Sequence, residues 1–109
     1  MAFDEALAAT VRALVSTVPG MVEKKMFGGL GFLLNGNMSV GIQGAELVVR
    51  IAPEATAAAL SEPGARVFDF SGRPMKGWLL IGGSTLVQKK VLAAWVGRGI
   101  AFAKTLPAK

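Results

Sequence analysis

The stretch that decides the fold reads Met26-Phe27-Gly28-Gly29-Leu30-Gly31-Phe32-Leu33-Leu34-Asn35-Gly36-Asn37-Met38. Glycines open it, an apolar run follows, and Asn35-Gly36 separates two runs that are typical of strands. The Asn-Gly pair favours a type I′ turn, because both central residues of that turn need positive φ. The stretch therefore predicts an antiparallel hairpin near the start of a sheet.

The turn also predicts the register of a strand meander over residues 22–51. It places Leu33 opposite Met38 and Phe32 opposite Ser39. Alternation then puts one apolar set on the core face: Leu33, Met38, Val40, Ile42, Leu47, Val49 and Ile51. The opposite face is mixed and carries Leu30, Phe32, Leu34, Ser39, Gly41, Val48 and Arg50. We expect the core face to form one core with Trp78, Trp95 and the first and last helices.

Helices and further strands flank this meander. Helical spacing of apolar residues predicts a first helix over 4–18 with Asp4 as N-cap, and Pro53-Glu54 opens a short second helix. Strands are predicted at 67–70 and 78–81, around an irregular loop over 71–77. Ser84 is expected to cap a last helix that runs to about Lys104. The order is helix, three or four strands, helix, two strands, helix. It predicts one α+β domain over residues 1–109, two-layered, with a mostly antiparallel sheet.

Composition narrows the class of protein. Hydrophobic residues make up 52% and charged residues 17%, which is too apolar for disorder. The uncharged stretch 26–45 is interrupted by the turn, so a hairpin explains it better than a membrane span. Acidic residues near the N-terminus argue against a signal peptide, and the absence of cysteine fits a reducing compartment, so we expect a cytoplasmic protein. The net charge of +5 comes from scattered basic residues, which favours a solvated surface over nucleic-acid binding.

The sequence offers little catalytic chemistry. It has no histidine and no cysteine, which removes the commonest general base, the usual zinc ligands and thiol nucleophiles. Asp69 lies in an apolar strand near Arg73, where a structural ion pair or an exposed carboxylate is the favoured interpretation. The glycines at 28–31 lack the spacing of a phosphate-binding loop and fit a closely packed strand. We expect no enzymatic activity, no cofactor and no metal.

One cluster of side chains is a candidate binding site. Arg73, Lys76 and Trp78 lie close together on a loop shaped by glycine and proline. A guanidinium can bind a carboxylate or phosphate in two places, and an indole can stack. The alternative is that Trp78 fills the core and the cations are solvated. Arg50 is a second candidate for anion binding, although the pattern favours a salt bridge to Glu46 or Glu23.

A second candidate surface is a dimer face. Leu30, Phe32, Leu34 and Val48 share the mixed face, which three helices can hardly cover together with the core face. Uncovered apolar patches of this kind mark interfaces, and homodimers are the commonest solution. The alternative is that the last helix covers part of this face in a monomer.

The segments Met26–Gly29 and Asn35–Met38 resemble the TfoX N-terminal domain family, the first domain of the TfoX/Sxy competence regulators. That family typically opens with a helix, Met-Phe-Gly-Gly, an apolar strand and a tight turn. Further matching segments cover nearly the whole chain, at 47–50, 53–54, 72–78, 92–96 and 102–107. The resemblance implies a two-layer α+β fold and brings no established catalytic residues, cofactor or defined ligand.

The resemblance also has departures. Full competence regulators carry a second, C-terminal domain, and we expect this chain to be a small stand-alone member without it. Acidic residues common before the last helix are replaced here by Gly82-Gly83-Ser84-Thr85. We therefore expect a non-enzymatic interaction or regulatory domain with a protein partner, for which a second copy of the same chain is one candidate. The alternatives are a nucleic-acid-associated accessory protein, and a binder of small anions or an unrecognised enzyme that uses Arg73 and Lys76.

Overall fold

The computed structural model describes residues 3–26, 28–69 and 76–109. Within them the protein is α+β, with three α-helices and a six-stranded antiparallel sheet. The helices are α1 (Glu5–Val15), α2 (Thr56–Leu60) and α3 (Lys89–Ala103). The strands are β1 (Met21–Met26), β2 (Gly29–Leu34), β3 (Asn37–Gln43), β4 (Glu46–Arg50), β5 (Ala65–Val67) and β6 (Trp78–Ile81). Short 3-10 turns at Pro53–Ala55 and Thr85–Val87 precede α2 and α3.

The strand order in the sheet is β1-β2-β3-β4-β6-β5. The first four strands form the predicted meander, whereas β6 lies between β4 and β5. All neighbouring strands run antiparallel. This order brings the end of β4 beside the start of β6, where Arg50 pairs with Trp78.

The Asn35-Gly36 turn is confirmed, but the predicted register is only partly right. Both turn residues have positive φ, 51° and 87°, and Leu33 pairs with Met38 as predicted. The next pair is Phe32 with Val40, because Ser39 is an extra residue in a β-bulge. The Ser39 hydroxyl donates a 2.7 Å hydrogen bond to the carbonyl oxygen of Phe32. The predicted pairing of Phe32 with Ser39 is therefore wrong.

The bulge changes which side chains face the core. An extra residue reverses the alternation, so Leu30, Phe32 and Leu34 share the core face with Val40 and Ile42. Their exposed fractions are 2%, 1% and 2%, and Val48 is fully buried on the other face. The prediction that Leu30, Phe32, Leu34 and Val48 form one exposed dimer face is wrong, since these side chains lie on two faces and are buried within the monomer.

Two apolar clusters flank the sheet instead of the predicted single core. All three helices contribute to the larger cluster, which contains Val40, Leu47, Val49 and Trp95 as predicted. The smaller cluster lies on the other face and holds Met38, Val48 and Phe68, with Met26, Trp78 and Leu80 packed against it. Leu33 is only half-buried. The bulge thus separates Leu33 and Met38 from the core that was predicted for them.

The helix ends follow local sequence signals with one exception. Asp4 caps α1 by accepting a 3.0 Å hydrogen bond from the N–H of Leu7, as predicted, and the helix ends at Val15. Ser84 was predicted to cap the last helix, which is wrong. A 3-10 turn follows Ser84, burying Leu86, and the extended backbone of Gln88 separates that turn from α3. Among the described helices, none combines the length and apolarity needed to cross a membrane.

Candidate functional site

The candidate site lies where β4 ends and β6 begins. Arg50 and Trp78 are cross-strand partners, so their side chains are neighbours on one face of the sheet. The guanidinium carbon of Arg50 lies over the Trp78 ring, 5.1 Å from its centroid. This distance is within the range of a cation–π interaction. Two of the residues singled out in the sequence are therefore in direct contact.

Phe102 completes the site from the helical side. It lies in the last turn of α3, and its ring centroid is 5.5 Å from the same guanidinium carbon. Sequence reasoning missed Phe102, because nothing local connects it with Arg50. The close approach of α3 to the sheet makes the contact possible: a Cβ at Gly99 would lie 2.5 Å from the carbonyl oxygen of Ser39. Only glycine lets the two backbones come this near.

Arg50 differs from the other arginines that the structure describes. Arg12 forms a two-pronged salt bridge with Glu23, at 2.7 and 2.8 Å, and Arg66 pairs with Glu46. Arg98 binds both carboxylate oxygens of Glu62, at 2.8 and 2.9 Å. Within residues 3–26, 28–69 and 76–109, Arg50 has no acidic partner.

The predicted salt bridge from Arg50 to Glu46 or Glu23 is therefore wrong. Glu46 and Arg50 lie at opposite ends of β4, about 13 Å apart at 3.3 Å per residue. Arg66, on β5 beyond β6, binds Glu46 instead. Glu23 lies on β1 at the sheet edge, where Arg12 of α1 holds it. The hydrogen bond from Arg12 lowers the pKa of Glu23 below its ordinary value.

A buried hydrogen-bond network fixes the backbone beside Trp78. Gly77 has a φ of +87°, and its carbonyl oxygen accepts a 2.8 Å hydrogen bond from the N–H of Ile51. The N–H of Gly77 donates to the hydroxyl oxygen of Thr56 at 2.9 Å. The network therefore ties α2, the residue after β4 and the start of β6 together, and it sets the direction of Trp78.

The remaining predicted site residues are less defined. Lys76 is exposed and lies two residues before Trp78. Phe68 packs beside Trp78, with ring centroids 6.3 Å apart. Asp69 is exposed, while Arg73 and its predicted pairing with Asp69 lie outside the described residues. The structure thus brings Arg50 and Trp78 together and leaves the contribution of Arg73 a prediction.

The arrangement suits binding of an anion. Rings that cover the faces of a guanidinium leave its in-plane N–H groups free to donate. Those groups match a carboxylate or a phosphate in a two-pronged geometry. Arg50 is half-buried, so an anion bound there would be partly shielded from water.

Comparison with known protein families matches the chain to the TfoX N-terminal domain over residues 13–103. The chain belongs to the TfoX N-terminal domain family. In this TfoX N-terminal domain, the matched region includes Arg50, Trp78 and Phe102. No curated protein and no solved structure matches the chain.

Proposed function

We propose that this TfoX N-terminal domain is a non-enzymatic interaction or regulatory domain that binds an anionic group of a partner through Arg50 and Trp78. One observation carries the proposal: Arg50 is stacked on two rings and has no acidic partner among the described residues. Arginine and tryptophan are among the residue types that most often dominate binding energy at protein interfaces. Arg50 and Trp78 are of these two types and are in direct contact, as expected of residues that anchor a partner.

The physical cost of the arrangement supports a binding role. Partial burial removes water from a guanidinium, and its N–H groups then need acceptors. Stacking offsets part of that cost, by about 0.5–2 kcal/mol per ring. A carboxylate or phosphate of a partner would supply Arg50 with the hydrogen-bond acceptors that no acidic side chain of the described residues provides.

Other features support the wider proposal. The family brings no established catalytic residues, and the sequence lacks histidine and cysteine, which supports a non-enzymatic role. The absence of cysteine also supports a cytoplasmic location. Self-association and binding to nucleic acid are the alternative roles, and the DNA duplex described below tests the second.

NMR titration with small anions tests the proposal. The side-chain Nε–H signals of arginine report directly on anion binding, so sodium acetate and sodium phosphate serve as probes at constant ionic strength. We expect a saturable shift of the Arg50 signal in the millimolar range. Arg66 is the matched control, because its guanidinium is exposed and already bound to Glu46. If Arg50 responds no more than Arg66 to both anions, the proposal is wrong.

A further inference from the structure

We infer that the group that Arg50 binds is a carboxylate of an acidic protein segment in which apolar side chains flank the acid. This inference rests on the proposed function and names the partner class of the same site. It follows from a second arginine in the molecule, from the positions of the lysines and from the use of the ring faces.

Arg98 shows the inferred geometry within the same chain. Its guanidinium carbon lies 4.1 Å from the centroid of the Trp95 ring, and its Nη1 donates to both carboxylate oxygens of Glu62. Stacking on an indole and binding a carboxylate are therefore compatible in this fold. Arg50 is stacked on two rings, those of Trp78 and Phe102, but among the described residues it has no carboxylate partner like the one that Glu62 provides for Arg98.

The lysines do not extend the site into a track for a nucleic-acid backbone. Lys24 and Lys25 lie on β1, three strands from β4 and about 14 Å away at 4.8 Å per strand. Lys89 and Lys90 open α3, whose far end carries Phe102, about 18 Å along the helix axis. Among the described lysines, Lys76 and Lys104 are near Trp78 and Phe102 in the sequence, and Lys109 lies beside the Asn35-Gly36 turn, where its N–H donates to the carbonyl oxygen of Asn35. Duplex binding relies on many phosphate contacts, whereas one carboxylate needs one guanidinium.

The aromatic rings also favour a protein partner over a nucleic acid. Single-stranded nucleic acids bind by stacking their bases on free aromatic faces. Here each ring presents a face to Arg50, and both rings are half-buried. Trp78 and Leu80 are half-buried on this face of the sheet, over the buried Phe68, and they suit an aliphatic or aromatic neighbour of the acid.

Capped synthetic peptides test this inference. The probe is a pentapeptide in which two glutamates alternate with leucine, phenylalanine and leucine. Two comparison peptides carry glutamine or phosphoserine at both glutamate positions. A 12-base-pair DNA duplex is the fourth ligand. Binding is followed by the Nε–H signal of Arg50 and the indole N–H signal of Trp78. We expect the glutamate peptide to bind at least tenfold more tightly than the glutamine peptide, and more tightly than the phosphoserine peptide or the duplex.

Two variants separate this inference from the proposed function. Arg50→Lys keeps the charge and loses the planar fork, so the glutamate peptide should bind at least tenfold more weakly. Arg66→Lys should change its affinity less than twofold, and thermal unfolding confirms that both variants fold. If the phosphoserine peptide or the duplex binds Arg50 more tightly than the glutamate peptide, the inference is wrong and the proposed function stands. If acetate and phosphate do bind Arg50 but none of these ligands does, the inference alone is wrong. Failure of every anion at Arg50 refutes both.

Discussion

Gly97 and Gly99 of α3 offer a matched pair of alanine substitutions that tests how the helix docks on the sheet. A Cβ at Gly97 meets no atom within 4 Å. Alanine should stabilise the domain there by about 0.5–1 kcal/mol, the difference in helix propensity between the two residues. A Cβ at Gly99 would lie 2.5 Å from the carbonyl oxygen of Ser39 and 2.6 Å from Cγ1 of Val40. Backbone atoms cannot move aside as the end of a flexible side chain can, so α3 must shift away from the sheet. We expect the free energy of unfolding to fall by about 1–3 kcal/mol.

Urea unfolding measures both effects, because the midpoint shifts with the free energy of unfolding while the slope stays constant. The two variants should move the midpoint in opposite directions. The site gives a second readout, since a displaced α3 carries Phe102 away from Arg50. Gly99→Ala should therefore shift the Nε–H signal of Arg50, and Gly97→Ala should leave it in place. Equal midpoints for the two variants would refute the close approach of α3 to β3.

Three further predictions concern the register, the backbone network and the dependence on pH. Phe32→Ala should cost about 3–5 kcal/mol and Leu33→Ala about 1 kcal/mol in urea unfolding, because Phe32 is 1% exposed and Leu33 half-buried. A larger loss for Leu33→Ala than for Phe32→Ala would support the register without a bulge instead. Thr56→Val should cost about 1–3 kcal/mol, since the N–H of Gly77 loses a buried acceptor, while Thr10→Val in α1, which removes a solvent-exposed hydrogen bond, should cost under about 0.5 kcal/mol. An equal loss in both would contradict the role of Thr56. Because Arg12 lowers the pKa of Glu23, the stabilisation from this pair is present above the ordinary glutamate pKa and is lost as pH falls through the lowered value. Thermal midpoints of the wild type and Glu23→Gln should converge as the pH falls through the lowered pKa of Glu23, and a difference that grows on acidification would contradict this sign.

The fold was predictable wherever the signal is local. Asn35-Gly36 specifies its own turn, Asp4 caps its own helix, and Pro53 starts the turn before α2. The bulge at Ser39 was not predictable in the same way. It depends on a hydroxyl on β3 that reaches the carbonyl of Phe32 on the neighbouring strand β2, and on the burial of Phe32 that the reversed alternation permits. The Asn-Gly turn alone is equally compatible with the regular register and with the bulged register.

The candidate site was predictable as residues but not as an assembly. Arg50, Lys76 and Trp78 were each recognisable by type, since arginine, lysine and tryptophan on Gly/Pro-rich or mixed segments suit recognition. Their arrangement depends on β6 lying beside β4, ahead of β5 in the sheet, and on α3 reaching the sheet end. These are long-range choices that depend on packing of the whole core. Phe102 therefore had no signal beyond its place in an amphipathic helix.

The neighbouring strands explain why Arg50 has no acidic partner among the described residues. On β6 its partner is Trp78, and on β3 the ladder with β4 begins only at Val40 and Val49, after the bulged Ser39. Neither β3 (Asn37–Gln43) nor β6 (Trp78–Ile81) contains an acidic residue, so neither strand offers Arg50 a carboxylate. A partner that supplies a carboxylate there would complete in trans the arrangement that Glu62 completes for Arg98 within the chain.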